Sequence, residues 1–122
     1  MKTIFFIFLL IPSISQASQV IIYSCSSSSV LTVSKNITTE YPREDFKFYR
    51  DGNVISFDED LKGLFYVDQV PIKSSLSYDK FYSGYGDFSF FNYEDGDFYF
   101  SEYNLNRRTI NIVLAECKIL KR

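Results

Sequence analysis

The chain has 122 residues and a formal net charge of −2, with no histidine and no tryptophan but 13 phenylalanines and 10 tyrosines. This length accommodates one domain of ordinary size. Without histidine, the chain lacks the commonest general base and the commonest neutral metal ligand. The balance of acidic and basic residues argues against binding to the phosphate backbone of nucleic acids, so no nucleic-acid partner is expected.

The first residues have the layout of a secretory signal peptide. Lys2 supplies a positive start, residues 4–11 form an unbroken apolar run, and small residues flank position 16 before a cleavage point at Ala17. We therefore predict a cleaved signal peptide over residues 1–17 and a single all-β domain over residues 18–122. The apolar run is far shorter than the roughly 20 residues of a membrane-spanning helix. The protein is expected to be exported, periplasmic or extracellular, with no stable membrane insertion after cleavage.

Cys25 and Cys117 are the two cysteines of the chain, one near each end of the predicted domain. Exported proteins meet oxidising conditions, so we predict a structural disulfide that joins the first and last strands. An intermolecular disulfide, or thiols used for metal binding or redox chemistry, are the alternatives. The lack of histidine and of a Cys-x-x-Cys pair weighs against metal binding and redox chemistry.

The rest of the chain has the composition of strands, being rich in Phe, Tyr, Ile, Val, Ser and Thr. Short apolar or alternating segments separated by turn residues predict an antiparallel barrel, or a sandwich, of about eight short strands closed by one disulfide. At most a single helical turn is expected, near residues 58–61 or 78–82. Besides two hairpins, the predicted strands are residues 20–25, 30–34, 64–70, 76–81 and 109–120.

The first hairpin is predicted around a type I′ turn at residues 51–52, which are Asp-Gly. This turn places Phe48 opposite Ile55 and, two residues further out, Phe46 opposite Phe57. One face of the hairpin is therefore apolar and the other mostly polar.

The second hairpin is predicted around the Asp-Gly turn at residues 95–96 and has aromatic side chains on both faces. One face must belong to the core. The other needs a covering loop or sheet, a cavity or a partner. Its residues are the candidate binding surface: Phe88, Phe90, Tyr99 and Tyr103.

The remaining motifs support no catalytic site, metal site or cofactor. No serine or cysteine nucleophile has a histidine partner. The acidic clusters at residues 58–60 and 94–97 lack the spacing of a calcium loop and are interpreted as solvated turns. Asn36 begins an N-glycosylation sequon, which matters only in a eukaryotic secretory pathway.

One short segment resembles a known family. The pattern Val-x-x-Tyr-x-Cys at residues 20–25, followed by Leu-Thr-Val at residues 31–33, is similar to the opening strands of small periplasmic lysozyme-inhibitor barrels. The characteristic Ser-Gly-x-x-Tyr segment of that family is only approximated by residues 83–85, and the closing strand is spaced differently. The resemblance assigns the chain to no family.

The sequence thus predicts an exported, non-catalytic β-domain. The first hypothesis is a protein-binding or inhibitor-like module that uses the aromatic hairpin surface. The alternative is a carrier that holds a small apolar ligand inside the barrel.

Overall fold

The computed structural model describes residues 19–58 and 64–122, which form one antiparallel sheet of nine strands. Eight of the strands form a closed barrel, because the first strand along the chain pairs with the last. The remaining strand, the second along the chain, lies beside the first strand and forms an extra edge. The predicted all-β barrel is therefore confirmed, and the sandwich is wrong. The predicted signal peptide and most of the predicted helical turn at 58–61 lie outside the described residues. The strands are β1 (Val20–Ser34), β2 (Ile37–Tyr41), β3 (Asp45–Asp51), β4 (Val54–Phe57), β5 (Gln69–Ser77), β6 (Phe81–Tyr85), β7 (Ser89–Glu94), β8 (Asp97–Asn104) and β9 (Thr109–Lys121).

The disulfide lies at the seam where the barrel closes. Cys25 on β1 is directly opposite Cys117 on β9, with a Cα–Cα distance of 4.0 Å, and the two sulfurs are bonded. The predicted structural disulfide between the first and last strands is confirmed. It links two strands that are neighbours in the sheet but 92 residues apart in the chain.

The opening strand is longer than predicted. Residues 20–25 and 30–34 belong to one strand, β1, which continues through an irregularity between Ser27 and Ser29. The first part of β1 pairs with β3, and the last part pairs with β2, which the sequence did not predict. Both partners run antiparallel to β1, so β2 and β3 follow one another along the same edge of it.

The turn of the first hairpin lies one residue later in the chain than predicted. The turn residues are Gly52 and Asn53, with Gly52 at φ +65°, so Phe48 lies opposite Phe57 and not opposite Ile55. A shift of two residues in register leaves the faces unchanged, because side chains alternate with a period of two. Arg50 is thereby placed opposite Ile55 on the inward face.

The second hairpin has the predicted register. Asp95 and Gly96 both have positive φ, as a type I′ turn requires, and Tyr93 lies opposite Phe98. Phe91 is likewise opposite Phe100. These four rings point into the barrel and are buried.

Two other predicted strands are partly wrong. In the segment 64–70 only residues 69–70 belong to a strand, because Leu64 and Phe65 leave the sheet and pack as buried side chains across one end of the barrel. Residues 78–80 form the turn between β5 and β6, not part of a strand or a helical turn. Gly84 and Gly86 also predict a turn or bulge; there is no turn at Gly84, which lies inside β6, but β5 has an irregularity between Ile72 and Ser74 directly opposite it. The carbonyl of Pro71 leaves no room for a side chain at position 84.

The barrel is filled by an interior aromatic cluster. Phe57 and Phe65 stack with their ring centroids 3.9 Å apart, and Tyr23 and Phe48 stack at 4.4 Å. Such contacts add to the large apolar area that each ring buries. Burial also raises the pKa of Tyr93 to about 12. The members of the interior aromatic cluster are Tyr23, Phe46, Phe48, Phe57, Phe65, Tyr82, Phe91, Tyr93, Phe98 and Phe100.

The end of the barrel opposite Phe65 is closed by a buried cation. The Arg50 guanidinium donates to the backbone oxygens of Gly52 and Tyr78 at 3.0 and 2.9 Å and to the Ser75 hydroxyl at 3.2 Å. It also lies 3.9 Å from the ring centroid of Tyr78 and 4.5 Å from that of Tyr82. These acceptors and ring faces replace the water that a buried charge would lose, so Arg50 holds the β5–β6 turn against the barrel.

Candidate functional site

The four residues of the predicted binding surface lie together on the outside of β7 and β8, or directly before β7. We call them the outer aromatic face. Phe88, Phe90 and Tyr103 are exposed, with 56%, 43% and 38% of their surface accessible, and Tyr99 is half-buried. The rings of Phe88 and Tyr103 are 6.2 Å apart, and those of Phe90 and Tyr99 are 5.8 Å apart. The sheet therefore presents two adjacent ring pairs to the outside.

Neighbouring strands extend the outer aromatic face in both directions. Tyr85 on β6 lies opposite Phe90, and Ile110 on β9 lies opposite Tyr103. Leu114 lies opposite Tyr99. All three added residues are exposed. The alternation of β9 predicts apolar residues on both of its faces, but no sequence pattern predicts that Tyr85 belongs to this surface.

Among the described residues, no second sheet or loop covers these rings. A covering element would bury the side chains beneath it, whereas Phe88, Phe90 and Tyr103 are exposed. A cover was one of the alternatives predicted from the sequence, and the described structure contradicts it. A contiguous apolar surface of this kind on a small domain is typical of an interaction site.

A second feature is an open groove at the barrel end near Phe65, with a volume of about 670 Å³. It lies between β2 and the segment that carries Leu64 and Tyr66. Thr39, Thr32 and Asn111 line this groove and are register partners on successive strands, and Glu102 continues the same polar row on β8 beyond the groove. The interior of the barrel thus changes from aromatic to polar at this end.

Glu102 is the buried acid of this polar row. Its carboxylate accepts a hydrogen bond of 2.8 Å from the backbone N–H of Tyr66 and so fixes the segment that crosses the barrel end. Burial raises the pKa of Glu102, although the hydrogen bond from Tyr66 opposes the shift. The sequence reasoning missed this residue. The pattern that could have identified it is strand alternation, which places residue 102 of β8 on the same inward face as residues 98 and 100.

Replacing Glu102 with glutamine is expected to stabilise the protein at pH 7. A pKa that is raised in the folded state makes the ionised carboxylate unfavourable in the fold. The stability that the protonated carboxyl contributes is therefore complete at low pH and is lost as the pH rises through the folded pKa. Glutamine keeps the acceptor for Tyr66 but carries no charge. The free energy of unfolding in urea should exceed that of the parent at pH 7, and the two should converge below about pH 4.

Glu102→Ala is the matched control, because it leaves the Tyr66 N–H without its partner. We expect it to lose about 1–2 kcal/mol relative to the parent below about pH 4 and less than that at pH 7, where the parent carries the unfavourable buried charge. A glutamine variant less stable than the parent at pH 7 would contradict the assignment of Glu102 as a destabilised, buried anion.

Comparison of the chain with protein-family models, curated proteins and solved structures finds no significant match. In the described part of the chain, no helix has the length and apolar character needed to cross a membrane.

Proposed function

We propose that this protein is an exported, non-catalytic binding module that docks a protein partner on its outer aromatic face. The observation that carries the proposal is the exposure of Phe88, Phe90 and Tyr103 on a sheet whose opposite face is fully packed. The partner surface that fits is a largely apolar patch with hydrogen-bond acceptors for the tyrosine hydroxyls.

The chemistry of the outer aromatic face supports a protein partner. Phenylalanine and tyrosine are enriched at the buried centres of protein interfaces, and tyrosine is frequent among the residues that contribute most to binding. Their rings are held on paired strands of the barrel, so little conformational freedom is lost on binding. A cation also lies beside the face, since the Lys73 ammonium is 5.3 Å from the ring centroid of Tyr85.

The packed interior supports the outer face over the barrel interior as the binding surface. A carried apolar ligand would lie where the rings of the interior aromatic cluster make contact, with centroids as close as 3.9 Å. Binding there would require several rings to move out of a close-packed core. The carrier therefore has less support than the docking module.

The disulfide supports export. Bonds of this kind form and persist mainly in oxidising compartments, and Cys25–Cys117 closes the barrel seam. Together with the predicted signal peptide, this bond supports a periplasmic or extracellular location.

Site-specific photocrosslinking in cells that export the protein tests the proposal. Phe90 is replaced by p-benzoyl-phenylalanine, and the matched control carries the same group in place of Leu76, which is 90% exposed on β5. We expect one discrete crosslinked protein from position 90 that is absent from position 76. Adding Phe88→Ser and Tyr103→Ser should remove that product, because the two changes delete a ring pair of the docking surface.

Equal crosslinking at the two positions would contradict the proposal. So would a product that persists after the serine substitutions, since binding would then not depend on the rings. Circular dichroism of the double variant provides the folding control.

A further inference from the structure

The strand β2 is the open edge of the sheet. Within the described chain each other strand has a neighbour on both sides, whereas β2 pairs only with β1. All five of its residues are exposed. An open edge carries unpaired N–H and C=O groups that are able to pair with another strand.

The turn that precedes β2 determines which of its backbone groups are free. Ser34 and Ile37 close a two-residue turn, so they form a hydrogen-bonded pair. Pairs alternate along the ladder, so Ile37, Thr39 and Tyr41 direct their backbone groups toward β1. The N–H and C=O groups of Thr38 and Glu40 therefore point away from β1, at the free edge.

The composition of β2 favours strand pairing. Natural edge strands are protected by short length, charged side chains, proline or bulges. Between Ile37 and Tyr41, β2 has no lysine, proline or bulge, and its protection is limited to its length of five residues and one carboxylate. Isoleucine, threonine and tyrosine are good strand formers. Glu40 is the single charged residue of the strand.

We propose that β2 pairs antiparallel with β2 of a second copy of this chain, about a two-fold axis that passes midway between the Thr39 residues of the two copies. In this register Thr38 lies opposite Glu40 of the second copy, and all four free N–H and C=O groups of each strand are paired. Thr39 lies opposite its own copy, and Ile37 lies opposite Tyr41. The contact is isologous, as closed dimers require.

The charge of Glu40 selects this register over its neighbours. A shift in one direction places Glu40 opposite Glu40, where like charges repel. A shift in the other direction places Thr38 opposite Thr38 and leaves the free groups of Glu40 without a strand partner. The register centred on Thr39 is therefore the one that pairs every free group and separates the two carboxylates.

The dimer has a consequence for the outer aromatic face, although it does not depend on the proposed function. A two-fold axis perpendicular to the sheet keeps the outside of both copies on the same side. The two outer aromatic faces then belong to one continuous sheet, which would bind a repeated partner with increased avidity.

Sedimentation of the full mature chain across a range of concentrations tests the pairing. We expect a monomer–dimer equilibrium whose dissociation constant rises about tenfold or more in Thr38→Pro, since proline removes two hydrogen bonds from the symmetric interface. The N–H of Thr38 is not part of the β1 ladder, so the monomer should keep its fold. Thr38→Val retains the N–H and should dimerise like the parent.

Cysteine crosslinking tests the register. Residues that face each other in a non-hydrogen-bonded pair have Cα atoms about 4.5 Å apart, a separation that suits a disulfide. Thr39→Cys should therefore form a covalent dimer under mild oxidation much faster than Thr38→Cys. The native cysteines offer no competing thiol, because they are bonded to each other.

Three outcomes would overturn the inference. These are a monomer at every concentration, a dimer that Thr38→Pro leaves intact, and equal crosslinking at positions 38 and 39. None of them bears on docking at the outer aromatic face, so the two proposals fail independently.

Discussion

Replacing Cys25 and Cys117 together with serine is expected to lower the free energy of unfolding by about 4–5 kcal/mol. The bond links residues 92 positions apart, so its loss releases nearly the whole described chain in the unfolded state. The free energy of unfolding of a domain is usually roughly 5–15 kcal/mol, so the double-serine variant should be only marginally stable.

Urea unfolding of the double-serine variant, monitored by tyrosine fluorescence, measures this loss. Both cysteines must be replaced, because a single substitution leaves one reactive thiol. The slope of the free energy against urea concentration should increase, since the unfolded chain without its crosslink exposes more surface. A loss below about 1 kcal/mol would mean that the bond adds little to the ladder between β1 and β9.

Replacing Phe98 with alanine is expected to cost about 3–5 kcal/mol. Phe98 is 2% exposed, and its ring centroid is 4.8 Å from that of Phe48 and 5.9 Å from that of Phe46. It also faces Phe57, Phe91 and Phe100 at 6.4 to 6.5 Å. Alanine would leave a cavity that the closed barrel cannot collapse to fill.

Chemical unfolding of three variants separates burial from ring loss. Phe98→Leu keeps much of the volume and should cost less than half as much as Phe98→Ala. Phe90→Ala removes a ring from the outer side of the same hairpin and should cost no more than about 1 kcal/mol. Similar losses for Phe90→Ala and Phe98→Ala would contradict the assignment of the two faces.

The structure of the barrel was predictable from the sequence where neighbouring residues in the chain determine it. The Asp-Gly turn at residues 95–96 fixed the register of the second hairpin, because glycine and aspartate tolerate the positive φ that a type I′ turn needs. In the first hairpin the same dipeptide was misleading. There Asp51 stays in the strand, and Arg50 points inward to acceptors that are distant in the chain, Ser75 on β5 and Tyr78 in the β5–β6 turn.

Non-local packing explains the other differences. Leu64 and Phe65 have a strand-like sequence, but Phe65 packs against Phe57 and Phe100 across the barrel end. β2 was missed because its polar residues show no alternation, and it forms by extending the turn at the end of β1.

The candidate site was partly predictable. Strand alternation identified the two faces of the second hairpin, and these faces are as predicted. Which of them is covered depends on strands that are distant in sequence, so exposure of the outer aromatic face required the structure. Tyr85 joined that face because β6 pairs with β7, and Glu102 became a contact because a loop crosses above it.

The central claim is that the outer aromatic face is free in the isolated protein and covered by a partner where the protein works. Hydroxyl-radical footprinting, resolved by residue, measures this directly in the purified protein and in intact cells that export it. We predict rapid oxidation of Phe88, Phe90 and Tyr103 in the purified protein, slow oxidation of the interior aromatic cluster, and protection of all three outer residues in the cells. Equal oxidation of those residues in both samples, normalised to an exposed residue such as Leu76, would contradict the account.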